Sequence, residues 1–132
     1  MKSIPELKEK EQAKLSELFK KVGLFFAFSN EQFTENKTPL KEGEKYVSIG
    51  AGGYLPKGNI EEFEKGMKEI KKWHKEEVKK NKAEDKEIIY ELNNHECFYT
   101  NDLTDVLSLF KGTYSEERIK KLFYKEIQNQ NS

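Results

Sequence analysis

The stretch from Ile60 to Asn81 constrains this chain more than any other, because its apolar residues fit one side of a helix and no strand pattern. Placed at about 100° per residue, Ile60, Phe63, Met67, Ile70, Trp73 and Val78 share an arc of about 140°, with Gly66 and His74 inside it. Glu61, Glu62 and Glu64 crowd its start, and Lys71, Lys72, Lys75, Lys79 and Lys80 its end, the order that a helix dipole favours. The lysines thus have a structural explanation before a functional one. The material available to pack against this helix is limited. Hydrophobic residues make up 35% of the chain and charged residues 36%, yet 12% is aromatic, with nine Phe and six Tyr. The core should therefore consist of few, large, ring-bearing side chains inside a charged shell.

The remaining segments read as a mostly helical α+β fold in a single domain spanning residues 1–132. Residues 4–21 form a helix that carries a Ser3–Glu6 capping pattern, Pro5 in its first turn and a stop at Gly23. Leu24-Phe25-Phe26-Ala27-Phe28 reads as a short buried strand, and Ser29 with Gln32 caps a short helix over 30–35. Residues 36–44 are an exposed loop. Tyr46-Val47-Ser48-Ile49 is the best strand candidate, and it runs into the unusual segment Gly50-Ala51-Gly52-Gly53-Tyr54-Leu55-Pro56-Lys57-Gly58. A small sheet over 24–28 and 46–49 follows, with Asn59 and Glu62 capping the long helix.

Residues 86–99 admit two readings. As a helix, Ile88, Leu92, His95 and Tyr99 align on one face. As strands, 87–92 and 95–99 flank an Asn93-Asn94 turn. The helix is preferred for 86–95. A helix over 102–110, started by Thr100 or Asn101, points Leu103, Val106, Leu107 and Phe110 inward and stops at Gly112. Thr113 with Glu116 caps a last helix over 115–128, with Ile119, Leu122, Phe123 and Ile127 inward. The tail, 128–132, should fray.

Composition narrows the function classes. The 24 basic and 24 acidic residues cancel, and Arg118 is the single arginine. Counterion release and bidentate base readout both want a basic, arginine-bearing face, so a protein partner is favoured over nucleic acid. The single cysteine, Cys97, permits no intrachain disulfide. No apolar run approaches the roughly 20 residues that span a bilayer, and Met1-Lys2-Ser3-Ile4-Pro5-Glu6 lacks a signal-peptide core. A cytoplasmic protein without membrane association is the expectation, and no cofactor is implied.

Two constellations could carry chemistry. A strand, then glycines, then a capped helix is the arrangement that cradles an anion, which makes Gly50, Gly52, Gly53, Tyr54, Lys57 and Asn59 candidate ligand-binding residues for a nucleotide or phosphorylated molecule. Neither G-x-x-x-x-G-K-[ST] nor G-x-G-x-x-G is present, and a turn that uses glycine for positive φ explains the same residues. His95 and Cys97 could pair as base and nucleophile on a strand, where side chains two apart share a face. On a helix they lie about 200° apart, and a buried cysteine beside a capping histidine is preferred. His74 has Val78 where a fourth-residue metal partner would stand, so it reads as a partly buried structural histidine. Phe25, Phe26, Phe28, Phe33, Tyr46 and Tyr54 could stack bases but read as core. Asn30, Gln32, Asn93 and Asn94 could form a polar interaction surface. No carboxylate pair can be assigned as acid and base.

Three segments, Phe25-Phe26-Ala27-Phe28-Ser29-Asn30-Glu31-Gln32-Phe33, Val47–Lys57 and Asn94-His95-Glu96-Cys97, make residues 20–110 similar to small proteins of bacteriophages and mobile elements. That resemblance carries no activity onto these residues. It implies a non-enzymatic regulatory protein that binds host or phage machinery, such as an inhibitor of a host defence system. The alternatives are the anion binder of residues 50–59 and, behind it, a small Cys/His enzyme.

Overall fold

The computed structural model describes residues 2–130. The chain is a mostly helical α+β protein with a three-stranded antiparallel sheet. It packs as two compact units, one of residues 7–76 and the other of residues 2–6 with 77–130.

The first unit holds the sheet. Helix α1 (Ile4–Val22) begins with the Ser3 hydroxyl accepting from the Glu6 amide at 3.3 Å and ends at Gly23, whose φ of +72° suits glycine. Strand β1 (Phe25–Phe26) is shorter than the apolar run that signals it, and the bond from the Ala27 amide to the Gly52 carbonyl is the last rung of its ladder. Helix α2 (Asn30–Asn36) is capped as expected, with Ser29 Oγ accepting from the Gln32 amide at 3.2 Å. Strand β2 (Tyr46–Gly50) and strand β3 (Gly53–Pro56) form a hairpin, and β3 is central in the order β1-β3-β2. A single 3-10 turn, Lys57–Asn59, leads into α3 (Ile60–Lys80).

Register fixes which backbone groups face outward. Lys57 donates its amide to the Lys45 carbonyl at 2.8 Å, so these two residues extend the ladder as a hydrogen-bonded pair. Alternation then makes Tyr46↔Pro56 a non-bonded pair, Val47↔Leu55 a bonded one and Ser48↔Tyr54 non-bonded. Pro56, which has no amide hydrogen, therefore lies where β2 asks for none, and it stands past the end of β1 on its other side. On β1, Ala27 donates to Gly52 at 2.9 Å, which turns the Phe26 carbonyl outward, where Asn36 Nδ2 donates to it at 2.9 Å.

One sheet face carries rings. Phe25, Phe33, Tyr46 and Tyr54 make five contacts with centroids 5.1–5.7 Å apart, mostly edge to face, each worth about 0.5–1.5 kcal/mol beyond the area buried. Tyr46 also donates its hydroxyl to the Thr38 carbonyl. The other face puts Leu55 with Val22 and Leu24, packed by Leu18, Phe19, Val47, Ile60 and Phe63.

The second unit is helical. It comprises α4 (Glu84–Asn94), α5 (Cys97–Thr100), α6 (Thr104–Leu109) and α7 (Glu116–Gln130). Its core is Ile88, Leu92, Cys97, Val106, Phe110, Ile119 and Phe123. The preferred helix over 86–95 forms, but it does not carry Tyr99 inward. Glu96 adopts φ +56° and breaks the helix, which leaves Tyr99 89% exposed. Two helix starts differ from expectation. The N-cap of α6 is Leu103, which makes no side-chain cap, and Asp102 rather than Thr100 or Asn101 accepts the Thr104 amide at 2.9 Å. Ser115, rather than Thr113, accepts the Arg118 amide at 3.1 Å. The tail stays helical to Gln130, and Asn131 and Ser132 lie outside the described residues.

Candidate functional site

The glycines make the β2–β3 turn and do not open a helix. Gly50, Ala51 and Gly52 all have positive φ, at +87°, +50° and +78°, and the register shifts between Ser48 and Gly50 as a bulge. Strand β3 then separates Gly53 from the start of α3. At about 3.3 Å per residue its four residues put roughly 13 Å between glycines and helix. The expected sequence of strand, glycines and capped helix is therefore divided in two.

Each half has its own contacts. A Cβ at Gly52 would meet Phe28 Cε1 at 2.4 Å, and one at Gly53 would meet Ile49 Cγ1 at 2.8 Å. Phe28 is 76% exposed, Phe26 44% and Ile49 40%. Phe26 is the ladder partner of Gly53. Phe28 and Ile49 thus lie over the two glycines, while Phe26 packs edge to face on Phe19 of α1 with centroids 6.3 Å apart. Phe26 and Phe28 leave the core to which their sequence assigns them, while Tyr54 joins the ring cluster. At the other end, Lys57 is exposed, and Asn59 does not cap α3. Its Nδ2 donates to the Val22 carbonyl at 2.9 Å, so it satisfies the last turn of α1 instead. A Cβ on Gly58 would meet Glu44 Oε2 at 2.6 Å.

Cys97 and His95 do not form a nucleophile with its base. Cys97 is fully buried, and burial pushes its thiol above the usual range, with Asp102 and Asp105 adding to the effect. His95 Nε2 lies 3.3 Å from Glu91, and Nδ1 lies 4.0 Å from Asp105. His74 pairs with Glu11 at 2.9 Å, and this hydrogen bond lowers the Glu11 carboxyl against the opposing effect of burial.

Two buried carboxylates escaped sequence reasoning. Glu87 and Glu91 are 7% and 4% exposed on the inner face of α4, and Tyr114 donates to Glu87 at 3.0 Å. Spacing with Ile88 and Leu92 is the one signal that places them on that face. Asn93 and Asn94 are exposed as expected, beside an open depression of about 400 Å³ that includes Glu96, Phe98 and Tyr99. Among the described residues, no group of three or more His, Cys, Asp or Glu side chains could hold a metal ion. Nor is any helix among them long and apolar enough to cross a membrane.

The chain belongs to a family of unknown function, DUF7659, whose profile matches residues 6–129. No curated protein and no solved structure matches it.

Proposed function

We propose that the chain is a non-enzymatic protein-binding module that engages its partner through the end of the sheet around Gly52 and Gly53. One observation carries this reading: Phe28 and Ile49 are exposed against Gly52 and Gly53, with half-exposed Phe26 the ladder partner of Gly53, in a chain that is 36% charged. Exposed aromatic and aliphatic side chains over a rigid hairpin are typical anchors of protein interfaces. The buried, raised Cys97 thiol gives the enzyme reading no comparable support. The resemblance to phage and mobile-element proteins directs the proposal to host machinery, with inhibition of a defence system as its finer form.

The test is site-specific photocrosslinking in a host lysate, with the photoreactive residue at position 28 or 49 and a control at exposed Glu9. The same polypeptide should be captured from both patch positions and not from the control. Capture lost in Phe28→Asp with the fold retained supports the reading, and equal capture from all three positions defeats it.

A second reading, a small anionic ligand, has the facing lysines Lys45 and Lys57 behind it. A thermal-shift screen against nucleotides, cyclic oligonucleotides, nicotinamide derivatives and phosphate decides it, because a ligand that binds only the folded state raises its melting temperature. A rise that disappears in Lys57→Ala would move the site to that end of the hairpin.

A further inference from the structure

The two edges of the sheet are treated differently. On the β1 edge the outward Phe26 carbonyl is taken by Asn36, so α2 closes that side. On the β2 edge, alternation turns the amide and carbonyl of Tyr46 and Ser48 outward. Ser48, Ile49 and Gly50 are exposed there. Natural proteins usually blunt such an edge with lysine, proline or an inward charge. Here residues 46–56 contain no Asp, Glu, Lys or Arg, and they form the longest such run in the chain. Charge resumes abruptly at the open end of the hairpin, where Lys45 and Lys57 stand directly opposite each other, both exposed. Like charges in facing positions repel. Neighbouring Glu44 turns one carboxylate oxygen to the Lys41 amide at 3.4 Å.

The geometry points to strand addition on β2: an extended segment of the partner protein pairs with Tyr46–Gly50 and lays an acidic residue beside Lys45 and Lys57. The outward backbone groups require an extended backbone, and the uncharged strand requires alternating apolar or β-branched side chains. The lysine pair sets the polarity of the end residue. This inference rests on the protein-binding reading and specifies how that partner docks.

Selection from a displayed library of random linear peptides tests it, followed by fluorescence anisotropy of the enriched peptides on the intact chain. Enriched sequences should alternate β-branched residues and carry Asp or Glu at one end. Ser48→Pro removes an amide hydrogen that no ladder bond uses, so circular dichroism should stay unchanged while peptide affinity falls roughly tenfold, as expected for one lost hydrogen bond. Ser48→Lys, which introduces the charge that edges normally carry, serves as the second variant and should weaken binding too. Lys45→Glu should weaken the acidic peptides and favour basic ones. An absence of enrichment, or peptides indifferent to both Ser48 variants, overturns strand addition. Peptides lost in Phe28→Asp yet indifferent to Ser48→Pro overturn it while leaving the protein-binding reading intact. A dimer dissolved by Ser48→Pro would assign the edge to a second copy of the chain and overturn it as well.

Discussion

Phe28 lies so close to Gly52 that its ring fills the space where a side chain on Gly52 would begin, with Cε1 2.4 Å from the ideal Cβ position. Two constraints therefore meet at one glycine, since its φ of +78° is also one that other residues adopt at a cost. Gly52→Ala should destabilise the protein by about 1–2 kcal/mol through the backbone alone. The melting temperature should fall by roughly 3–10 °C for a chain of this size. The exposed ring can swing aside, so partner capture from position 28 should fall more than stability does. Thermal melts read beside crosslinking yield separate the two.

Cys97 should be chemically silent in the native state. Its thiol is fully buried and held above the usual range by burial, so little thiolate forms at neutral pH. Iodoacetamide should label it only after denaturant is added, and labelling within minutes in native buffer would contradict the placement. Cys97→Ser should cost about 1–3 kcal/mol, because a hydroxyl would replace the thiol in the apolar cluster of Ile88, Leu92 and Val106.

Stability should depend on pH through two groups with opposite signs. The Glu11 carboxyl is depressed in the folded state, chiefly by its hydrogen bond with His74. Its contribution is present above the ordinary value of 4.5 and is lost as pH falls through the lower folded value. Tyr114 is raised, first by burial and then by Glu87. Its contribution is present below the ordinary value of 10.0 and is lost as pH rises above it. Melting curves of the parent and Glu11→Gln should converge as pH falls through the lowered Glu11 value, and those of the parent and Tyr114→Phe should converge in strong alkali.

Asn59 should act as a cap for a helix that ended 37 residues earlier in the chain. Asn59→Ala leaves the Val22 carbonyl without that donor, and it should cost about 1 kcal/mol, as other lost caps do. Asn59→Asp keeps the shape but presents an acceptor to an acceptor, so it should be at least as damaging. Chemical denaturation of the two variants checks the order.

The helices were legible because their apolar residues recur over several turns, as in Ile60–Val78 and Ile119–Ile127. The sheet was legible only in part. Strand β3 was hidden because Gly53-Tyr54-Leu55-Pro56 carries a glycine and a proline, both poor strand signals, and only its place between two partners makes it a strand. The exposed side of the candidate site was hidden for a different reason. Phe26 and Phe28 read as core by composition, yet β1 ends after Phe26, the Ala27–Gly52 bond is its last rung, and Phe28 lies past it over the glycine turn. Helix starts were misplaced by a few residues, as at Leu103 and Ser115, because several polar residues precede each helix and the pattern does not select among them. The buried Glu87 and Glu91 were invisible because sequence assigns charge to the surface, while Tyr114 and His95 come to them from elsewhere along the chain or from the next turn.

Pro56 has one more consequence. Within the central strand it occupies the slot that calls for no amide on the β2 side. Sliding β3 by one residue in either direction would move it into a slot opposite a waiting carbonyl, with no hydrogen to offer. The same slide would turn Leu55 away from Val22 and Leu24 and toward the rings. A single imino acid therefore acts as an index mark for the hairpin, so that a one-residue slip of β3 against β2 and its exposed edge is disfavoured twice over.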